Sequence, residues 1–272
     1  MIIKVKNMNI KMDIININKF IGIENYLTNE NYKYSIITKT KIDFILPKIK
    51  AKLNTKYYQL FDFDEYQIQR QIDENNNLLG YIYYNKNEVY LYPINKSFEI
   101  EYLLSQYALV YFLRLEKDSL FMHGSSIMYK NKGIIFTAKS GTGKSTHAKL
   151  WLKNSNAITI NDDKNIIALI DDKLKIYSSP WSGKEMLNNN ISTTLDSIIF
   201  LYQNKTNTLE KINNIKALKL LLGQIENLNE NNKEIWNKIV DKMLELPIYY
   251  YGCNIEDEAF YILKEGIKEL WD

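Results

Sequence analysis

The chain has 272 residues, of which 46% are hydrophobic and 25% are charged, and this composition is ordinary for a globular protein. Its net charge of +3 is small, and the lysines are scattered instead of forming a basic block, so we expect no nucleic-acid partner. Cys253 is the one cysteine, and no apolar run approaches the roughly 20 residues that span a bilayer, so we expect a cytoplasmic protein with no membrane partner.

The first part of the sequence alternates apolar and polar residues, a pattern typical of β-strands with one buried face. The segments that show this alternation are residues 34–38, 57–63, 66–72, 81–84 and 88–92. Asparagine tolerates positive φ, so the Asn-Lys-Asn sequence of residues 85–87 predicts a hairpin turn between the last two segments. We therefore predict an antiparallel, β-rich N-terminal domain over residues 1–117.

Residues 98–115 change to helical spacing, and their apolar side chains form a wide face on one side of the predicted helix. We expect this helix to join the N-terminal domain to a second domain over residues 118–272. Neither an internal repeat nor a linker rich in proline, glycine or serine marks the boundary.

In the second domain a strand, a turn, another strand, a glycine-rich loop and a helix follow one another. Asp171 and Asp172 separate two of the later strands and predict a turn. The predicted strands are residues 120–129, 133–137, 157–160, 166–170, 174–177 and 198–202, and the predicted helices are residues 146–153, 215–225, 233–246 and 257–271. This order predicts an α/β fold.

The glycine-rich segment, residues 138–146, reads Ala-Lys-Ser-Gly-Thr-Gly-Lys-Ser-Thr and matches the phosphate-binding loop pattern, with Ala138 at the place of the first glycine. The glycines allow backbone angles that turn N–H groups towards a phosphate. Lys144 can reach the β- and γ-phosphates of ATP, and the Ser145 hydroxyl can ligate Mg²⁺. We predict that the ATP-binding residues are Ser140, Gly141, Thr142, Gly143, Lys144, Ser145 and Thr146.

The context of this loop decides between a nucleotide site and a plain glycine-rich turn. An apolar segment precedes the loop and a helical pattern follows it, which is the arrangement that the motif requires. The helix would add the positive end of its dipole to the site. Ala138 disfavours the positive φ that a glycine could adopt at that place.

Asp162 and Asp163 follow the apolar run 157–160, so we expect both carboxylates at the end of a strand beside the one that feeds the loop. One carboxylate could hold Mg²⁺ while the other accepts the proton of an attacking hydroxyl. The alternative is a surface turn, as predicted for Asp171 and Asp172. The position favours catalysis and metal binding, and the sequence leaves open which aspartate is the base.

The chain has two histidines, and they differ in their placement. His123 lies just ahead of the strand pair that enters the loop, and we consider it a candidate catalytic residue, although a lone histidine is more often structural. His147 follows the loop on the predicted helix, and we expect it to be solvated or packed outside the site.

Residues 178–185 form a polar segment with proline and glycine breakers, and such loops often carry function. No arginine follows Arg114 in the sequence, so Lys184 is our leading candidate for a catalytic cation beyond Lys144. We expect Trp181, in the same segment, to anchor the loop in the core instead of stacking on a base.

These motifs resemble the HPr serine kinase family, within the wider group that contains the ATP-dependent phosphoenolpyruvate carboxykinases. The shorter HPr-kinase-like proteins that accompany peptide natural-product pathways look similar in the Pro-Trp-Ser-Gly-Lys loop and in a terminal strand and helix. The resemblance covers about residues 118–270 and rests on His123-Gly124, residues 140–146, Asp162-Asp163, residues 180–184 and residues 248–271.

The resemblance implies an HPr-kinase-like P-loop core with ATP in the loop, Mg²⁺ on Ser145 and the acidic pair, and His123 beside the transferred phosphate. It implies a kinase that phosphorylates a serine or threonine hydroxyl of a peptide or small protein. A small-molecule kinase acting on an amino acid or sugar, and a nucleotide-binding regulatory module without turnover, are the alternatives. The N-terminal domain either takes part in recognising the acceptor or is purely structural.

Overall fold

A computed structural model describes residues 1–46, 48–183, 185–226 and 233–271. The chain divides into two compact units, Met1–Phe112 and Leu113–Asp272. The roles assigned to residues 1–117 and 118–272 from the sequence stay predictions. Among the helices that the structure describes, none combines the length and apolar composition needed to cross a membrane.

The first unit is built on one mixed β-sheet and the beginning of a long helix. Its described elements are β1 (Ile2–Val5), β2 (Met8–Asp13), β3 (Tyr34–Thr38), β4 (Leu53–Asn54), β5 (Tyr58–Asp62), β6 (Gln67–Ile72), β7 (Leu78–Asn85), β8 (Glu88–Pro93) and α1 (Phe98–Glu116). The strands lie in the order β1-β2-β3-β8-β7-β6-β5-β4. Strands β3 and β5 to β8 and helix α1 therefore confirm the corresponding sequence predictions, within a few residues at their ends.

The predicted antiparallel arrangement of this sheet is wrong at β3. Strand β3 runs parallel to both of its neighbours, because Ile36 pairs with Met12 of β2 on one side and with Val89 of β8 on the other. The connection from β2 to β3 contains short 3₁₀ turns at Ile17–Lys19 and Ile23–Tyr26. A connection of this length can carry the chain back to the other end of the sheet, which a tight hairpin cannot do.

Strands β1 and β2 were missed from the sequence although they carry a period-two signal. The alternating residues Ile3, Val5, Met8, Ile10 and Met12 are all buried, so this hairpin contributes one continuous face to the core of the first unit.

The second unit contains a larger mixed sheet with helices. Its described elements are β9 (Ser119–His123), β10 (Ser125–Tyr129), β11 (Lys132–Thr137), α2 (Lys144–Asn154), β12 (Ile158–Asn161), β13 (Lys164–Ile170), β14 (Lys173–Tyr177), β15 (Ser192–Gln203), β16 (Thr208–Lys211), α3 (Asn214–Leu221), α4 (Lys233–Glu245), β17 (Ile248–Cys253) and α5 (Asp257–Gly266). The order is β12-β10-β11-β15-β14-β13-β9, with β17 also beside β15, and β16 beside β17. The mixed α/β prediction is confirmed at this level.

The turns and helix ends of the structure agree only in part with those predicted from the sequence. The predicted hairpin between β7 and β8 is present, but the positive φ of 51° falls on Lys86 and not on an asparagine. The predicted turn at Asp171 and Asp172 joins β13 to β14, with positive φ at both residues. Helices α3 and α5 end earlier than predicted, α5 being followed by a 3₁₀ turn at Lys268–Leu270.

Helices cover both faces of the second sheet. Successive residues of β11 point to opposite faces, so they pack against different helices. Ile135 belongs to the core that contains residues of α3 and α4, whereas Ile134 and Phe136 belong to the core that contains residues of α2 and α5. Trp151 of α2 is fully buried in the second of these cores. The packing of α2 on this face fixes the direction in which its N-terminus points.

Replacing Trp151 with alanine should destabilise the protein strongly. Its ring centroid lies 5.5 Å from that of Tyr129 and 5.0 Å from that of Phe260, so truncation leaves a large cavity. We expect the free energy of unfolding in urea to fall by about 3–5 kcal/mol. Tyr261→Ala is the matched control, since that ring is 57% exposed and should matter far less. Equal losses in the two variants would contradict this account of the core.

Candidate functional site

The strand arrangement brings the predicted motifs to one edge of the second sheet. Strand β10 is antiparallel to both β11 and β12, so it begins where those two strands end. The glycine-rich segment 138–146, called the phosphate loop from here on, follows β11. The acidic pair follows β12, and His123 precedes β10. The backbone N–H of Gly124 donates to the carbonyl oxygen of Asp163 at 3.0 Å, which ties two of these motifs together.

Two sequence-based expectations about these strands are wrong. The acidic pair was expected on a strand beside β11, but β10 lies between β12 and β11. The predicted single strand 120–129 is divided at Gly124 into β9 and β10, which pair with different strands. A Cβ atom on Gly124 would lie 2.6 Å from the side chain of Ile135, so only glycine fits at this break without a shift of its neighbours.

The phosphate loop has the backbone shape that its glycines were expected to provide. The φ angles of Gly141 and Gly143 are 80° and 111°, in the region that favours glycine. A Cβ atom on either residue would meet nothing within 4 Å, so the space above the loop is open. Ala138 does not take a positive φ, and alanine is therefore compatible with its place in the loop.

Helix α2 starts within this loop, at Lys144 directly after Gly143, two residues earlier than the predicted helix 146–153. The first N–H groups of a helix lack partners within the helix, and together with the helix dipole they attract anions. The Lys144 ammonium donates to the carbonyl oxygen of Ala138 at 3.2 Å. Burial and the charge of Lys164 lower the pKa of Lys144, while the nearby Asp163 carboxylate acts in the opposite direction. Ser145 is partly buried and Thr146 is exposed.

A cavity of about 530 Å³ adjoins the loop. Its walls are formed by the loop, the first turns of α2, residues 203–205 at the end of β15 and residues 253–255 at the end of β17. Cavities of roughly 300–1,000 Å³ are typical of small-molecule sites. His147 contributes to the wall but is itself 2% exposed, and burial lowers its pKa to about 3, so the ring is neutral. The expected packing of His147 is confirmed, but the expectation that it lies outside the site is wrong to the extent that it lines this cavity.

Asp162 is buried and holds the segment that follows Trp181. Its Oδ1 accepts a hydrogen bond from the N–H of Gly183 at 2.5 Å, and its own N–H donates to the carbonyl oxygen of Leu187 at 3.0 Å. Its Oδ2 is buried without a hydrogen-bond partner among the described residues. Burial, and then the charge of Asp163, raise the pKa of Asp162. The first aspartate of the pair is therefore poorly placed to meet a substrate directly.

Asp163 has a different environment, because its side chain is 28% exposed and lies among cations. Its Oδ2 is 3.1 Å from the Nζ of Lys164, and its Oδ1 is 3.8 Å from the Nδ1 of His123. Burial alone would raise the pKa of Asp163, but His123 and Lys164 outweigh burial and hold this pKa well below its usual value. Asp163 is thus ionised at neutral pH and remains partly open to solvent.

His123 joins the acidic pair to a residue that the sequence did not single out. Its Nε2 lies 2.9 Å from the Oε1 of Glu226, and its Nδ1 lies 3.0 Å from the Nζ of Lys164. An ammonium group only donates hydrogen bonds, so Nδ1 accepts and the Nε2 proton is directed at Glu226. Burial acts to lower the pKa of His123, but the carboxylates of Asp163 and Glu226 hold it above its usual value.

Sequence reasoning missed Lys164, Glu226 and Gln224. Glu226 is 103 residues from His123 in sequence and belongs to no motif. The segment from Gln224 to Glu226 lies along β9, where the His123 N–H donates to the carbonyl oxygen of Gln224 at 2.8 Å. The side-chain oxygen of Gln224 also accepts from the Thr137 hydroxyl at the end of β11. The alternation of polar and apolar residues at 224–226 is the one signal that could have indicated this pairing.

The polar loop after β14 is attached to the acidic pair through Asn161. The Nδ2 of Asn161 donates to the carbonyl oxygens of Ser179 and Trp181, both at 2.9 Å. Trp181 is fully buried, as expected. Lys184, the predicted catalytic cation of this loop, lies outside the described residues.

No group of three or more metal-ligating side chains occurs among the residues that the structure describes. Mg²⁺ often binds through one or two carboxylates together with substrate phosphates and water, and so does not require a protein cage. The unpartnered Oδ2 of Asp162, the ionised Asp163 and the partly exposed Ser145 at the open loop fit such an ion. These three residues therefore remain the candidate ligands.

Comparisons with known proteins add little. No protein-family profile and no curated protein matches this chain. Among solved structures, the HPr(Ser) kinase/phosphatase from Coxiella burnetii is similar over 55% of this chain and 93% of its own, with 10% sequence identity and a TM-score of 0.30. We draw no argument about activity from a similarity this slight.

The buried Asp162 predicts a specific dependence of stability on pH. Because its pKa is raised above the ordinary value of 3.8, the folded state keeps this proton to a higher pH than the unfolded state. Unfolding free energy should therefore fall as pH rises through this window, by at most about 1.4 kcal/mol per pH unit. Asp162→Asn should lack this component, whereas the exposed control Asp241→Asn should keep it. Urea denaturation at a series of pH values from about 4 to 7 tests this, and parallel curves for wild type and Asp162→Asn would refute it.

Proposed function

We propose that this chain binds ATP with Mg²⁺ through residues 140–146 and transfers the γ-phosphoryl group to a hydroxyl. The observation that carries the proposal is the placement of this loop at the same sheet edge as the ionised Asp163. Neither feature alone would suffice, because glycine loops and surface aspartates both occur without catalysis.

Nucleotide binding is supported by the shape of the loop and by the space beside it. The N-terminus of α2 and Lys144 offer positive charge to the phosphates, and the positive φ angles of Gly141 and Gly143 leave the loop surface open. The adjoining cavity of about 530 Å³ can hold the ribose and base. The phosphates would thus lie at the helix end, with the nucleoside towards the ends of β15 and β17.

Catalysis is assigned to Asp163. Its carboxylate would accept the hydroxyl proton as the hydroxyl oxygen forms a bond to the γ-phosphorus, while the bond from that phosphorus to the bridging oxygen breaks and ADP leaves. Mg²⁺ bound near Ser145, Asp162 and Asp163 would reduce the charge on the phosphates. His123, which is 3.8 Å from Asp163, is expected to keep that carboxylate ionised and oriented.

The acceptor is proposed from the sequence resemblance, which favours a serine or threonine of a peptide or small protein. Two alternatives are a small-molecule kinase that acts on a free amino acid or sugar and a regulatory module without turnover. An assay with γ-labelled ATP against hydroxyl-bearing peptides, amino acids and sugars distinguishes them from a peptide kinase. Release of phosphate to water serves as the readout when no acceptor is modified. Absence of both transfer and hydrolysis, with ATP still bound, would favour the regulatory module.

Lys144→Ala should weaken ATP binding, because it removes the cation of the phosphate loop. Calorimetric titration of wild type and variant with ATP and Mg²⁺ measures the change in Kd. A charge-assisted contact is worth about 1.5–3 kcal/mol, so we expect a loss of roughly 10- to 100-fold. Lys149→Ala, at an exposed position further along α2, is the matched control and should bind ATP as wild type does. Unchanged affinity in Lys144→Ala would remove the loop assignment.

Asp163→Asn should lower kcat by about 10²–10⁴, the range in which a general base contributes, and should change ATP affinity much less. The substitution keeps the shape of the side chain but removes its charge. Asp162→Asn should also lower kcat, because Asp162 accepts a hydrogen bond from the N–H of Gly183 and is a candidate metal ligand. Hydrolysis or transfer is measured with γ-labelled ATP at saturating nucleotide, and near-wild-type kcat in both variants would exclude the mechanism proposed here.

A further inference from the structure

We propose that Lys164 is a second cation of the transfer site and donates a hydrogen bond to the phosphoryl group while it is being transferred. The inference rests on the proposed function and assigns a direct role to a residue that no sequence motif contains. In this role Lys164 keeps its proton throughout, and the hydroxyl proton still passes to Asp163.

The position of the Lys164 ammonium is well defined by its contacts. Its Nζ lies 3.1 Å from the Oδ2 of Asp163 and 3.0 Å from the Nδ1 of His123. The side chain is 12% exposed, and its ammonium lies 5.8 Å from the ring centroid of Phe121. An ammonium has three N–H donors, and these contacts use two. Among the described residues the third has no acceptor, which leaves one donor for a ligand.

The backbone that carries Lys164 is held on both sides. Lys164 is paired with His123 across strands β13 and β9, so the two side chains lie together on the sheet. Its N–H donates to the Oδ1 of Asn161 at 2.6 Å, and its carbonyl oxygen accepts from the hydroxyl of Ser179 at 3.0 Å. A donor that is already held in position can stabilise a developing charge without first rearranging.

The cations near Asp163 can attract a bound anion. Lys164 contacts Asp163 directly, and the charges of Asp163 and Lys164 both affect the pKa of Lys144. Glu226, by contrast, is engaged with His123. Two ammonium groups therefore lie near Asp163, and that of Lys164 is in direct contact with it. A phosphoryl group in transfer carries negative charge on its equatorial oxygens, which these two ammonium groups would stabilise.

Other cations of the unit are less suitable. Arg114 is the last arginine of the sequence, and its charge acts on Glu226, on the far side of His123 from Asp163. The phosphate loop supplies Lys144, which is already committed to the β- and γ-phosphates in the proposed function. Lys164 is the described lysine in direct contact with the proposed base.

The role is tested by comparing binding of ADP alone with binding of ADP plus aluminium fluoride, a mimic of the transferring phosphoryl group, both with Mg²⁺. Wild type should bind the fluoride complex more tightly than ADP. Lys164→Met should reduce that preference by about 10²-fold, comparable to loss of one preorganised donor, and leave the Kd of ADP almost unchanged. Lys164→Arg should retain most of the preference. Lys173→Met, at an exposed position of β14, is the matched control and should behave as wild type.

The outcomes separate this proposal from the proposed function. If wild type prefers the fluoride complex and Lys164→Met keeps that preference, Lys164 has no such role although the nucleotide site stands. If Lys164→Met weakens ADP and the fluoride complex equally, the residue only holds the site together, and the proposal fails. If wild type binds neither ligand, the proposed function fails together with it. Should Lys164→Met not fold, Lys164→Gln gives the same comparison.

Discussion

The candidate site depends on one buried amide, the side chain of Asn161. Its Oδ1 accepts the N–H groups of Asp163 and Lys164 at 2.9 and 2.6 Å, and its Nδ2 donates to the carbonyl oxygens of Ser179 and Trp181. These bonds fix the turn that carries the acidic residue and its cation, and they attach the polar loop to the same point. A fully buried amide that satisfies four backbone groups leaves little freedom for any of them.

Two adjacent aspartates acquire different properties from this arrangement. Asp162 points into the protein and holds the N–H of Gly183, so burial raises its pKa. Asp163 points to the side where Lys164 and His123 lie, so its pKa is held low. The same pair of residue types thus yields one buried carboxylate with a raised pKa and one ionised, partly exposed carboxylate.

The sequence predicted the parts of the site that have a local signal. The loop glycines, Lys144 and the aspartates could be found because their spacing serves a known chemistry, and Trp181 could be placed in the core by its size and type. Glu226 could not, because its role is created by a backbone pairing with a strand far away in sequence. Lys164 was not predicted as a site residue, because it belongs to no sequence motif and a lysine is usually exposed at the surface.

The fold shows the same division between local and distant signals. Strands with clear alternation were predicted to within a few residues. The strands beside which they lie were not predicted, because pairing depends on the paths of the connections. Strand β3 is parallel to β2 and β8 for this reason, and β10 separates β11 from β12. The order of the strands decides which motifs lie close together. The sequence therefore identified several candidate site residues but did not predict which of them are neighbours.

The central claim is that the phosphate loop and Asp163 form one site for a single nucleotide. The most direct measurement is an experimental structure of the protein with Mg²⁺ and a non-hydrolysable ATP analogue. Our account predicts the β- and γ-phosphates at the N-terminus of α2, in contact with Lys144, and the γ-phosphate on the side that faces Asp163 and Lys164. Phosphates bound elsewhere, or a γ-phosphate directed away from Asp163, would contradict it.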